Sequence, residues 1–430
     1  MKNINIFTAI FLLGLILVGC KDSITERYLS LEPVYMNYSD FRASVKVTSQ
    51  KDLVKPGKIY TIGKYLFINE SLQGVHVYDN SDPALPKYVC FISIQGNTDI
   101  AVKNNILYGD SYIDLVAIDI TDPSKAKEVA RVKQVFPYSL PPFSQTENPV
   151  GAIDISRGVV VGWELKHVQK ETIIWDQPII PINFGKKYAD DFLSLSSATD
   201  SYASSSGEGA GGAMARFGFK GNYLVVVGTY STYYNFDLSD RSNLKLVNSQ
   251  TLKGSGIETM FLSGNYMFLG AQSGMLIYDL SDPLKPVYLS TFWHATGCDP
   301  VVVQGNRAYV TLRSGVICAN RSINELSVLD ITNVNAPVLL RSYVMDNPYG
   351  LGISGDILFV CDGTSGLKIF DASDPLLIAE HQLARFPGIQ AYDVIPLGKS
   401  LLMIGSDGFY QYDNSDVKNI RQISVISVKK

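Results

Sequence analysis

The sequence predicts an all-β fold, a β-propeller of four-stranded blades. Two observations carry that expectation. An apolar strand ending in Asp, followed by a Ser/Thr-Asp-Pro turn and a second strand, recurs along the chain. The composition also leans towards strands, with 25 Tyr and 19 Phe against 18% charged residues.

The phrase reads Gly74-Val-His-Val-Tyr-Asp79-Asn-Ser-Asp-Pro83 and then Leu115-Val-Ala-Ile-Asp119-Ile-Thr-Asp-Pro123. It returns around Asp237, Asp279, Asp330, Asp371 and Asp413, with steps between successive aspartates of 40, 118, 42, 51, 41 and 42 residues. The step of 118 has room for one degenerate unit and an insertion, with Val159-Val-Val-Gly-Trp163-Glu164 as its surviving strand. Each unit divides into four strands. In the sixth they are expected at 300–303, 308–312, 326–331 and 338–343, with Gly305-Asn306 in the first turn, where positive φ is needed. Gly221-Asn222 and Gly264-Asn265 mark the same turn elsewhere, and the Asp-Pro pairs mark the turn between third and fourth strands. Radial closure of such units removes the long exposed edges of an open array. Eight units give eight blades if each is complete and seven if the third is vestigial; a pair of β-sandwiches is the structural alternative.

The 430 residues are 46% hydrophobic, enough to bury a sizeable core. A net charge of −4 with no basic stripe excludes nucleic-acid binding. At the N-terminus, Lys2 precedes a mostly apolar run from Ile4 to Val18, which ends Leu17-Val18-Gly19-Cys20. That ending resembles the lipobox of bacterial lipoproteins, in which the Cys is lipidated and becomes the first mature residue; an ordinary signal peptide or a short membrane anchor is the plainer reading. The apolar run is short for a bilayer span. The expected organisation is a signal peptide at 1–19, a tether from lipidated Cys20 to residue 45, and a propeller over 46–430. Residues 43–47 are read as an added strand that helps close the ring. The anchor is expected in a bacterial cell envelope, at the outer membrane.

The Leu-Val-x-x-Asp-x-Ser-Asp-Pro phrase resembles the LVIVD-repeat family of bacterial exported proteins, most clearly at 115–123, 276–283 and 367–375. The resemblance spans roughly residues 50–428, with the third unit departing from it. It implies a propeller and export, and no chemistry.

Catalytic motifs are mostly missing. His76, His167, His294 and His381 fall in unrelated places without metal-ligand spacing, and there is neither a Gly-x-Ser-x-Gly elbow nor a phosphate loop. Three features remain. Cys298 and Cys318 bracket an extended loop of the sixth unit and suit a disulfide, whereas Cys90 and Cys361 read as small buried hydrophobes. Aligning the innermost strands brings Gly57, Asp99, Ala152, Ala215, Glu258, Asp299, Tyr349 and Asp393 to one register position. The carboxylates there would ring a channel mouth and suit calcium, or else satisfy local backbone N–H groups. The stretches 136–149 and 186–212 interrupt the repeat, the second as a flexible insertion rich in Ser and Gly. All of these belong to the face where blades join and where second strands pass to third. The functional expectation is a non-catalytic binding or scaffold module taking an envelope protein or glycan on that face. The alternatives are a carboxylate-dependent hydrolase or lyase acting on an envelope or extracellular polymer, and a structural envelope spacer.

Overall fold

The computed structural model describes residues 23–143, 148–173, 210–211, 215–272, 274–294, 300–313 and 324–429. Seven antiparallel sheets follow one another as blades, each a four-stranded unit, with two short edge strands added to that of blade 1. Blade 1 consists of Pro56–Ile62, Tyr65–Glu70, Gly74–Asp79 and Lys87–Ser93, from the inside outwards. Blades 2 to 7 occupy residues 100–132, 217–251, 257–293, 301–344, 351–386 and 391–427. The unit partitioned above has strands Val301–Gln304, Arg307–Leu312, Glu325–Asp330 and Val338–Val344, within a residue or two of the expected limits.

The first turn of six blades carries a glycine in the left-handed region, from Gly63 at φ 55° to Gly398 at φ 60°; Asn104 at φ 51° does the same in blade 2. The second recurring turn is a double one. The Asp closing each third strand accepts the backbone N–H two residues on: Asp79 from Ser81, Asp119 from Thr121, and so on to Asp413 from Ser415. Three residues after that Asp, a second Asp, or Asn333 in blade 5, repeats the arrangement. The residue between Asp and Ser/Thr donates its N–H to the first turn of the same blade, as Ile120 does to Asn105 O and Leu280 to Asn265 O. Both turns of a blade are thereby fixed to each other.

The same turn ties neighbouring blades. The carbonyl at its Pro position accepts from the preceding blade: Pro123 from Cys90 Sγ, Pro283 from Tyr233 and Asn235, Val334 from Ser290, and Pro375 from Tyr343. Between blade 7 and blade 1 the acceptor is Pro83 O, reached by Gln411 Nε2 at 3.1 Å and Ser424 Oγ at 2.7 Å. Hydrophobic clusters fill the seams, including Ile59, Leu66, Ile68 and Tyr78 of blade 1 against Ile395, Leu402, Ile404 and Phe409 of blade 7. The chain end adds Lys429 N–H to Leu53 O at 2.8 Å. Closure is thus by packing and by these contacts. The strand Lys46–Thr48 instead pairs with Lys87–Ser93 at the outer edge of blade 1.

The third unit makes no blade, so the ring has seven. Its strand, Val159–Ile173, lacks the Asp turn and pairs antiparallel with Ser23–Met36, inside the stretch read as a tether. This two-stranded arm spans roughly 45 Å at 3.3 Å per residue. Its Met36–Val159 end is rooted where Phe41, Tyr112, Ile113 and Val159 pack together. Asp114 holds the root, taking Arg42 Nε at 2.9 Å and Arg131 Nη1 at 3.1 Å. Of the 186–212 insertion, Ala210–Gly211 pairs with the inner strand of blade 1 at Thr61 and Tyr60, on the channel side; residues 186–209 and 212 lie outside the described residues.

The turn carboxylates make stability pH-dependent. At Asp413, hydrogen bonds from the Ser415 hydroxyl and N–H, and then Arg421, lower the pKa from 3.8 to about 2. A depressed folded-state pKa contributes stability above the unfolded value, and that contribution is lost as pH falls through the folded one. Asp413→Ala should therefore lower the unfolding midpoint at pH 6, and the difference from wild type should vanish as pH drops towards 2. A difference independent of pH would contradict the role of the carboxylate.

Candidate functional site

The described part of the 136–149 stretch lies beside the junction of blades 2 and 3 on the connection face. Here blades 2 and 3 meet directly, because the third unit has left the ring. Asp99, one residue before the inner strand Ile100–Lys103, is buried in this region and does not open to the channel. Its Oδ2 takes Lys58 Nζ of blade 1 at 2.6 Å and the N–H of Arg216 before blade 3 at 2.7 Å, while Oδ1 takes the N–H of Ile100. One carboxylate thus joins three blades. Burial lowers the pKa of Lys58, against the opposing pull of Asp99.

Asp110, in the second strand of blade 2, stands beside this pair. It accepts from Thr98 N and Oγ1, Asp99 N and Asn97 Nδ2. Burial raises its pKa, with the nearby Arg216 charge acting the other way. With Gly96, Thr98, Tyr112, Phe136, Arg216 and Phe217, Asp110 lines a cleft of about 50 Å³. Tyr112 holds φ 46°, an uncommon conformation for a bulky side chain. Its ring lies flat over Gly96, where a Cβ would come within 2.4 Å of the ring. Phe136, from the 136–149 stretch, packs edge-on against Tyr234 at 5.3 Å and closes the cleft.

Glu258, Tyr349 and Asp393 keep their place at or just before the start of inner strands but have separate surroundings, whereas Ala152 lies in an irregular segment outside the ring of blades. Glu258 is half-buried in blade 4. Asp393 is fully buried in blade 7. Tyr349 precedes the inner strand of blade 6 and lies under the Arg313 guanidinium at 3.9 Å. Asp299, Cys298, Cys318 and Cys20 lie outside the described residues. Among the described residues no three His, Cys, Asp or Glu side chains gather to hold a metal ion. Cys90 and Cys361 are buried free thiols. His76 is fully buried, 3.3 Å from Glu70 Oε2, whereas His167 stands exposed on the arm.

Sequence reasoning missed Arg216, Thr98 and Tyr112. Counting back six residues from the turn glycine places Ala215 at the aligned position, one residue short of Arg216.

The fold and this face define a seven-bladed propeller assembled from a short repeat. Three regions of the chain, residues 96–134, 258–292 and 350–380, match the LVIVD repeat family. No curated protein matches the chain. Among solved structures, the computationally designed protein Ika8 is similar at TM-score 0.50 and 11% identity, over 88% of this chain and 92% of that one. Sqt1 of Saccharomyces cerevisiae is similar at TM-score 0.50 and 8% identity, over 90% and 89%. At such identities the likeness is one of fold alone.

Removing one member of a buried ion pair leaves the other charge uncompensated, at about 3–5 kcal/mol. Asp99→Asn should therefore lower the urea unfolding midpoint strongly. Lys58→Met should cost clearly less, since Asp99 keeps two backbone donors. Equal, small losses would show that the pair does not hold the seam.

Proposed function

We propose that this protein is a lipid-anchored binding module of the bacterial cell envelope, held at the outer membrane through Cys20 and taking its partner on the connection face. A propeller built of repeats fits a binding or scaffold role, because the ring is a rigid frame and the departures from the repeat are free to recognise. The observation that carries the reading is the arm. Its strand Ser23–Met36 begins three residues after Cys20 and is rooted beside the cleft, against Tyr112 and Ile113. An anchor at the far end would hold the propeller by its connection face. The partner class this supports is an envelope protein or glycan.

The carboxylate-dependent enzyme has less behind it. Asp99 spends its oxygens on Lys58, Arg216 and Ile100, which leaves it unsuited to general acid–base work.

Cells expressing the full chain should incorporate a palmitate probe into the protein and retain it in the membrane fraction. Cys20→Ala should abolish both while leaving the fold intact by circular dichroism. Labelling that persists in Cys20→Ala, or an unlabelled soluble wild type, would overturn the anchor.

A further inference from the structure

The segment leaving blade 2, residues 134–143, has contacts on two sides. At its start the Gln134 N–H donates to Asp114 Oδ1 at 2.8 Å and the Phe136 N–H to Ile113 O at 3.0 Å. Phe136, Pro137 and Ser139 then line the cleft between blades 2 and 3. The Phe136 ring meets Tyr234 and Phe236 of blade 3 at 5.3 and 6.4 Å. The residues between and beyond them hold the arm. Tyr138 Oη donates to Gly158 O at 2.9 Å and accepts the Val160 N–H at 3.0 Å. Trp163 Nε1 donates to Pro141 O at 2.9 Å, with its ring edge-on to Phe143 at 4.9 Å. One short stretch thus touches blade 3 through one set of side chains and the arm strand Val159–Ile173 through another.

The seam that this stretch crosses is also held differently from most others. At the register position just before the bulge, Cys90, Ser290 and Ser424 of blades 1, 4 and 7 each donate to the turn carbonyl of the next blade. Blade 2 has Ala130 there, opposite Ala117, and an alanine side chain has no donor to offer. Blades 2 and 3 are joined instead near the connection face, by Asp99 Oδ2 with the Arg216 N–H, by Arg216 Nη2 with Thr98 Oγ1, and by Phe136. At the opposite face Lys103 Nζ donates to Gly221 O. Phe136 is therefore both a tie across the seam and a member of the segment that grips the arm.

We propose that residues 134–143 are a strap coupling the arm to the seam between blades 2 and 3, so that a load or a partner engaging the arm shifts the cleft, and closure of the cleft steadies the arm. Tyr112 works to the same end from the other side, since its ring lines the cleft while it packs with Phe41 and Val159 at the arm root. The coupling goes beyond the anchor reading, because it needs the arm and the ring and not the lipid.

Hydrogen exchange followed by mass spectrometry on the purified full chain tests this in both directions. The double variant Tyr138→Phe/Trp163→Phe removes the hydrogen bonds between strap and arm while keeping an aromatic ring at each position. Exchange should then rise roughly threefold or more at residues 96–99 and 215–217 as well as in the arm. Phe136→Leu, which loosens the seam side, should raise exchange at residues 159–163 by a similar factor. Blades 5 and 6 should keep wild-type exchange, which shows that the ring stays folded; if the double variant loosens them, Tyr138→Phe alone decides the matter. A rise that stops on the side of the substitution overturns the proposal. So does one that crosses in a single direction, because coupling is reciprocal. Palmitate labelling at Cys20 scores the anchor separately, so either reading can fail without the other.

Discussion

Each blade is organised by the carboxylate that ends its third strand. Asp79 and its six counterparts accept a backbone N–H two residues on, which bends the chain into the Asp-Pro turn with its carbonyl directed at the preceding blade. Five of the seven seams use that carbonyl as an acceptor for a side chain. The register of every third-to-fourth strand pair also slips by one residue just before the Asp, as at Val77/Tyr78 and Gln411/Tyr412. Such bulges add twist. A single short phrase thus sets the turn, the twist of the outer strand and the grip on the neighbour.

That economy explains why the fold was legible. The Asp, the Ser/Thr and the Asp-Pro pair have fixed local partners, so their spacing reports a blade even where the strands vary. It also explains the third unit. Val159–Ile173 has the apolar start of a strand but no Asp turn to bend it back, and it extends to pair with Ser23–Met36. Nothing in the local sequence of 23–36 names that partner, more than 120 residues away, because antiparallel pairing of two strands leaves only alternation as its mark. The outer-edge placement of Lys46–Thr48 was hidden for the same reason.

The candidate site was legible only in part. Register alignment brought Asp99 to the right end of its strand, but whether a carboxylate there faces the channel or the seam depends on what stands opposite. Lys58, one residue beyond the Gly57 position in blade 1, draws Asp99 sideways. Arg216 follows from the same alignment moved by one residue, where the side chain points to the other face of the sheet. Tyr112 at positive φ and Gly96 beneath its ring have no pattern in sequence; their relation is one of contact.

The turn carbonyl joins the last blade to the first and so makes the ring one unit. Gln411 and Ser424 meet Pro83 O, and Gln411 exchanges hydrogen bonds with Asn80 at 2.9 and 2.8 Å. Native-state hydrogen exchange of the Gln411→Ala/Ser424→Ala double variant, followed by mass spectrometry, measures this directly. Faster exchange in both blade 1 and blade 7, with blades 3 to 5 unchanged, is the result predicted. Exchange raised in blade 7 alone would contradict it, since the seam would then not depend on the clamp.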